Sequence, residues 1–284
     1  MILVIAVSYF GSKDLAPYLE SLRAQTYAEW RLVIIDNSED DVEWNLIQKY
    51  AANDPRVDRL RAPENLGYFG AVDWAVKQSN LREIRWLIVS NTDVRLANDE
   101  AFTALMSVST DGIGVLAPSI RSSLDGRDQN PYQLDRPTVA QMRRRRYVLG
   151  SPLLAQIAML ILTAKRLLMR DPAIAVNVLN SQPIYAAHGS FFAVTKTFLD
   201  RGGNFEFPLF LFAEELFLAE QARDLGLQTV YAPDVKVEHL EHSQIGYLRS
   251  FKMLRHGARA ARYGYALLKA EKHDDVKPER HNWD

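Results

Sequence analysis

Four short apolar runs in the first part of the chain, "ILVIAVSY", "RLVIIDN", "RWLIVSN" and "GIGVLAP", limit the fold more than any other feature of the sequence. Each is nearly continuous where a half-exposed strand would alternate, the pattern of strands covered on both faces. Segments of helical length separate them. "DLAPYLESLRAQT" sets Leu15, Leu19 and Leu22 at helical spacing, "DVEWNLIQKYAAN" repeats the pattern, and "GAVDWAVKQS" follows a glycine-containing loop. Strands alternating with helices predict an α/β fold around a mostly parallel sheet, with right-handed crossovers laying helices on its faces.

The length of 284 residues suffices for one large domain or a main domain with an elaboration. An apolar fraction of 48% and a formal net charge of -1 exclude global disorder and a polyanion-binding composition, so no nucleic-acid partner is expected. The absence of cysteine removes disulfides, thiolate catalysis and cysteine-ligated zinc, and fits a reducing, cytoplasmic setting. "MILVIAVSYFGS" has no basic n-region and is too short an apolar stretch for a usual signal or membrane span; it reads as a first buried strand.

In open α/β sheets, ligands collect beyond the carboxyl ends of the strands. The first run ends in Ser8 and Tyr9, the second in Asp36 and Asn37, the third in Asn91, Thr92 and Asp93. Three neighbouring strands thus offer polar side chains along one edge. Taken singly, each end reads equally as a turn, since Asn, Asp and Ser are ordinary turn residues. Asp93 beside other oxygen donors suits a hard divalent cation. In "PENLGYFGAVDWAV", Asn65, Gly67 and Gly70 form a loop leading into a helix, which can bring backbone amides and a positive helix end toward a phosphate. It is neither a Walker loop nor a dinucleotide glycine motif, and the two glycines also read as plain turn residues.

The middle of the chain changes character. "RSSLDGRDQNPYQLDRP" reads as a polar loop, and "TVAQMRRRRYVLGSPLLAQIAMLILTAKRLLMR" as helix with a Gly-Ser-Pro break. Its apolar stretch, interrupted by Gln156, is about half of the roughly 20 residues needed to cross a bilayer, so a core or interfacial helix is expected. "IYAAHGSFFAVTKTFLDRGG" reads as a strand pair or a strand-to-helix return, "FLFAEELFLAEQARDLG" as a helix capped by Gly226, and "QTVYAPDVKVEHLEHS" as strand. Glu214 and Glu215 lie in apolar surroundings, which raise a carboxylate's proton affinity and suit it to act as a base; the alternative is a solvated helix face. His239 follows the late strand and is either structural or a ligand, with His242 as its nearby competitor.

The order of these motifs resembles the family 2 glycosyltransferases, of the nucleotide-sugar-binding GT-A fold, and in particular rhamnosyltransferase-like members. The likeness spans "VSYFGSKDLAPYLESLRAQTYAEWRLVIIDNSED", "ENLGYFGAVDWAV", "WLIVSNTDV" and "GGNFEFPLFLFAEELFLAEQARDLGLQTVYAPDVKVEH". It implies a glycosyltransferase domain over 1–245: a nucleotide-sugar-binding half (1–118), a partly helical insertion (119–182) and an acceptor and catalytic half (183–245). A basic helical extension (246–284) follows.

By resemblance, Ser8 and Tyr9 line the nucleotide pocket, Asp36 binds the base, and Asn65 and Gly67 form the turn beside the nucleotide. Asn91-Thr92-Asp93 matches the Asp-x-Asp motif, with Asp93 as metal ligand and Asn91 facing ribose, metal or water. Asn91 in place of the first Asp removes one negative charge. Glu215 matches the catalytic base and Glu214 an acceptor-orienting or alternative base; Glu at the second place and Phe217 where many relatives carry Asp are departures. His239 would complete the metal or diphosphate site, while His188, Gly189 and Ser190 would shape the acceptor and donor-sugar pocket. The implied cofactor is Mn2+ or Mg2+, the donor a nucleotide sugar such as dTDP-rhamnose or a UDP-sugar, and the acceptor a glycan or lipid-linked glycan of the bacterial cell envelope.

Two basic segments remain. Arg143 to Arg146, and Arg249, Lys252, Arg255, Arg259 and Arg262 at helical spacing, are either solvated faces or the polar side of amphipathic helices on an anionic membrane. The second series has Leu248, Phe251, Leu254 and Ala258 for an apolar face. Peripheral membrane association on the inner face and oligomerisation are both compatible with the hydrophobic middle. The other functional readings are a nucleotidyltransferase, which lacks a Gly-rich Arg-Lys phosphate signature near the N-terminus, and a catalytically decayed sugar-nucleotide-binding protein.

Overall fold

The structure, a computed structural model, describes every residue except 53, 152, 159, 162–179, 242–250 and 271–284. His242, Leu248 and Arg249 lie outside the described residues.

Among the described residues, nine strands form one sheet. Its first half is parallel in the order β3 (Val57–Arg61), β2 (Trp30–Asp36), β1 (Ile2–Ser8), β4 (Trp86–Asn91). The sheet continues through β8 (Phe191–Thr195), β6 (Ile113–Ser122), β9 (Gln228–His239) and β5 (Val94–Leu96), with β7 (Gln182–Ile184) paired to β9 off this path. Here the pairing is mixed: β4–β8, β8–β6 and β9–β5 are antiparallel and β6–β9 parallel. All four apolar runs are strands, but the fourth, β6, is separated from the third by β8, which arrives much later in the chain. Edge strand β3 is invisible as an apolar run because "VDRLR" buries fully only Val57.

Continuous hydrophobicity in β1 has a simple cause. Ile2, Val4 and Ala6 face one core, with α1 (Leu15–Arg23), α2 (Asp41–Tyr50) and α4 (Ala101–Ser107) packed over it. Leu3, Ile5 and Val7 face a second core under α3 (Tyr68–Lys77), α6 (Lys196–Asp200) and α7 (Glu214–Asp224). Residues of β2 and β4 alternate in the same way, each fully buried aliphatic side chain contributing roughly 1.5–3 kcal/mol. A third cluster, with Met142, Tyr185, Leu216, Ala219 and Leu268, fastens α5 (Val139–Gly150) and α8 (Phe251–Ala270) to α7.

Local chemistry sets the helix ends. Asp40 caps α2 by accepting from the Val42 and Glu43 amides, and Thr138 with Gln141 forms a capping box on α5. Gly226 follows α7 with φ +68° and donates its N–H to Arg223 O, the role its sequence position suggests.

The apolar side of basic helix α8 is largely spent inside the protein, where Ala260, Ala261, Tyr263 and Leu268 are buried. Gly264 lies so close to α5 and α7 that a β-carbon there would sit 2.6 Å from Met142 Cε and 2.7 Å from Leu216 Cδ2. What α8 leaves to solvent is chiefly its cationic side.

Candidate active site

The carboxyl ends of β2, β1 and β4 lie side by side, as the strand order requires, beneath a cavity of about 950 Å3. Tyr9, Asn65, Gly67, Asn91, Asp93, Glu214, Glu215 and His239 all line it, as do His188, Gly189 and Ser190. Ser8 and Asp36 do not. Ser8 is fully buried, and Asp36 is turned inward, accepting the Ser38 amide at 3.0 Å.

Asn37, adjacent to Asp36, holds the glycine turn. Its amide nitrogen donates to Asn65 Oδ1 and Gly67 O, both at 3.1 Å, and its Oδ1 accepts the Leu66 N–H at 2.9 Å. Gly67 has φ +73°, and a β-carbon on it would fall 2.3 Å from Phe210 O. A left-handed conformation and a backbone contact both demand glycine here. The turn can therefore be covered closely by the 208–213 segment that precedes the two glutamates.

Asp93 and His239 meet although 146 positions separate them in sequence. The register of β6 with β9 jumps from Pro118/Ala232 to Ser119/Lys236, an irregularity that redirects the end of β9. There β9 pairs with β5, placing His239 opposite Val94, and the Leu240 amide donates to Asp93 O at 2.8 Å. His239 Nε2 lies 3.4 Å from Asp93 Oδ2, while Nδ1 is 2.8 Å from Gln129 Oε1. With Gln129 accepting, the Nε2 lone pair faces Asp93. Carboxylate oxygen, imidazole nitrogen and the nearby Asn91 amide suit Mn2+ or Mg2+ and leave coordination positions for other oxygens. Among the described residues there is no cluster of three or more His, Cys, Asp or Glu that could hold a metal.

The polar loop after β6 supports both histidines. Asp128 accepts from Ser119 Oγ, Tyr231 Oη and the Ile120 and Asn130 amides, fixing the neighbours Gln129 and Asn130. Asn130 Oδ1 in turn accepts the His188 amide at 2.9 Å. His188 Nδ1 accepts the Ser190 N–H at 3.2 Å, and burial pushes the imidazole down to about 4, with His239 adding to the effect and Asp93 opposing it. It is a neutral ring at physiological pH.

Glu214 and Glu215 open α7 after two consecutive residues in the left-handed region, Phe212 (φ 73°) and Ala213 (φ 74°). Such backbone is unfavourable for non-glycine residues and persists only where surrounding structure enforces it. The turn aims both carboxylates into the cavity. Burial first, then the charge of Glu215, pushes Glu214 up to about 7 despite hydrogen bonds from its own amide and that of Phe212. Burial also raises Glu215, against hydrogen bonds from its own amide and that of Gly189. A β-carbon on Gly189 would come 3.0 Å from Glu215 Oε1, so glycine lets this carboxylate rest against backbone. Tyr68 Oη donates to Gly189 O at 2.8 Å. With Glu214 buried and Glu215 half-buried against the Gly189 backbone, the pair is not a solvated helix face.

Several lining residues were not expected in the site: Tyr68 at the start of α3, Phe210 in the covering segment, Met253 and His256 on α8, and Lys252, read from sequence only as part of a basic helix face. His256 stacks on Phe210 with ring centroids 5.3 Å apart. Only the tertiary packing of α8 reveals these contacts.

A GT-A glycosyltransferase architecture is what this half-parallel sheet, its strand-end cavity and its flanking helices define. Similar folds include a Pyrobaculum calidifontis mannosyltransferase in complex with GDP-Man and Mn2+, at 12% identity and TM-score 0.55, covering 97% of this chain and 76% of that one. They also include the S. aureus TarS 1–349 fragment in complex with UDP-GlcNAc, at 15% identity and TM-score 0.56, covering 93% and 66%. The chain belongs to glycosyl transferase family 2, whose family model matches residues 3–173. Over 248 residues it is 26% identical to the N-acetylglucosaminyl-diphospho-decaprenol L-rhamnosyltransferase of Mycobacterium tuberculosis, covering 83% of this chain and 75% of the relative.

Proposed function

We propose that this glycosyltransferase moves a sugar, with rhamnose the favoured candidate, from a nucleotide diphosphate donor to a lipid-linked saccharide acceptor, with inversion at the anomeric carbon. The observation that carries the reading is the convergence in one cavity of two proton-avid glutamates, Glu214 buried and Glu215 half-buried, with the Asp93–His239 pair. A rhamnosyltransferase relative whose name carries a diphospho-decaprenol acceptor supports the choice of substrates.

In this reading the nucleotide lies along Tyr9, Asn65 and Gly67, over the buried Ser8 and Asp36. Asp93 and His239 would hold a divalent cation, with Asn91 as a further oxygen donor from the same cavity. The cation, when bound, neutralises charge on the departing diphosphate. Glu215 takes the proton of the acceptor hydroxyl, whose oxygen forms the new bond to the anomeric carbon as the bond to the diphosphate breaks on the opposite face. Glu214 orients the acceptor, and Tyr68 holds Gly189 against the base. Residues 1–118 act as the donor half and 183–245 as the acceptor half, with 119–182 inserted between them and 246–284 as an extension. The enzyme works peripherally at the inner face of the membrane, in assembly of an envelope polysaccharide.

Transfer assays over a panel of nucleotide sugars with Mn2+ or Mg2+ test the scheme. Glu215→Gln is expected to lower kcat by about 10²–10⁴-fold with donor affinity preserved. Undiminished turnover in that variant excludes Glu215 as the base. Product of retained configuration excludes inversion.

A further inference from the structure

Two surface features follow one another along the chain from α5. The first is charge. Arg143, Arg144, Arg145 and Arg146 are all exposed on α5, and Lys252, Arg255 and Arg262 on α8, with Arg259 half-buried. None of the eight forms an ion pair among the described residues, whereas Arg23, Arg56, Arg61, Arg95 and Arg136 elsewhere each meet a carboxylate. The helices lie side by side, with the Arg146 guanidinium 5.1 Å from the centre of the Tyr265 ring.

The second feature is apolar. Helical backbone resumes after α5 over 153–158 and 160–161. Ala155 is buried, while Leu153 is 71% exposed, Ile157 43%, Leu160 52% and Ile161 62%, a helical i, i+4, i+7, i+8 stripe turned outward. Leu154 and Tyr147 are also exposed, at 48% and 71%. Exposed apolar surface of this continuity marks a docking face.

We propose that this surface docks on an anionic lipid bilayer. Leu153, Leu154, Ile157, Leu160 and Ile161 enter the boundary between headgroups and acyl chains, and arginines of α5, with Arg255, Arg259 and Arg262 of α8, meet the anionic headgroups. Charge complementarity selects this occupant. A symmetric contact with a second copy would press two uncompensated arginine clusters together, and a nucleic acid offers nothing for the leucines and isoleucines. Docking also has a geometric consequence that rests on the proposed lipid-linked acceptor. Because α8 contributes Lys252, Met253 and His256 to the cavity wall, the bilayer surface comes close to where such an acceptor must enter.

Cosedimentation of the full chain with vesicles tests the assignment, using phosphatidylcholine alone or with 30% phosphatidylglycerol, roughly at 0.1 and 0.5 M salt. Binding is expected to the anionic vesicles, weakened at high salt. Arg143→Gln with Arg144→Gln should lower the partition coefficient more than tenfold, at about fivefold per arginine, and Leu153→Asp with Ile157→Asp should do likewise. Circular dichroism and melting temperature should stay unchanged, since these side chains are exposed. No binding by the parent protein overturns the proposal, as does equal binding by both variants. A parent dimer that Leu153→Asp converts to monomer overturns it in favour of a subunit interface. A water-soluble acceptor separates the two readings: loss of all transfer to it refutes the proposed chemistry and leaves the vesicle result standing.

Discussion

Replacing Glu214 by Gln should make the protein more stable, and more so the higher the pH. Glu214 is only 6% exposed, and its ionisation is pushed from 4.5 to about 7, chiefly by burial and secondarily by the charge of Glu215. The folded state holds the proton more tightly than the unfolded chain. Stability from that protonation is fully present below about pH 4.5 and is lost as pH rises through about 7. With each tenfold change in proton affinity worth about 1.4 kcal/mol, the ionised carboxylate weakens the fold by about 3 kcal/mol at pH 8.5 and by less than about 1 kcal/mol at pH 5. Glutamine removes the charge while keeping an oxygen to accept the Phe212 amide, a bond of 3.0 Å in the parent. Urea unfolding of metal-free protein at the two pH values measures the difference. The variant should gain about 2–3 kcal/mol over the parent at pH 8.5 and little at pH 5. An equal change at both values, or a loss at the higher, refutes the view that this carboxylate is held in an unfavourable, proton-avid site.

Other perturbations address separate parts of the structure. Asp93→Ala should weaken Mn2+-dependent nucleotide binding by at least about tenfold, read by titration calorimetry with and without the ion; unchanged affinity in both arms removes Asp93 from the metal site. Gly67→Ala should cost about 1–2 kcal/mol for the left-handed backbone alone, and displacement of Phe210 should raise the donor KM further. Arg136 forms a double hydrogen bond to Glu220, a 3% exposed carboxylate that Tyr185 also contacts. Because Tyr185 and Arg223 remain and Arg136 is partly exposed, Arg136→Ala should cost about 2–3 kcal/mol, the lower part of the range for breaking a buried pair. Burial acts to raise Glu220, but the Arg136 and Tyr185 hydrogen bonds hold it below the usual carboxylate range. This stabilisation is present above the unfolded ionisation and should disappear as pH falls through the folded one.

The α/β class, the two-faced burial of β1, β2 and β4 and the edge that carries the site were legible because continuous apolar runs and helical spacing are local properties of a chain. Edge strand β3 escaped notice since one of its faces is solvated. The order β4–β8–β6 was beyond reach, as antiparallel β8 is inserted from a distant part of the sequence and no local pattern encodes that pairing. Asp93, His239 and the two glutamates could be named from motif order, but Tyr68, Gln129, Asn130 and Lys252 could not. An aromatic, two amides and a lysine become site residues only through what they touch.

Sequence alone fixed which residues carry charge, which apolar periodicities had to be buried and where glycine frees the backbone. Whether Glu214 and Glu215 are solvated or proton-avid was decided by tertiary structure, because burial in a cavity formed by distant segments determines how strongly the charged form is disfavoured. Likewise, only packing determined that α8 spends its apolar side on α5 and α7 while lending its N-terminal part to the cavity. An amphipathic pattern specifies that a face must be covered; the rest of the fold supplies what covers it.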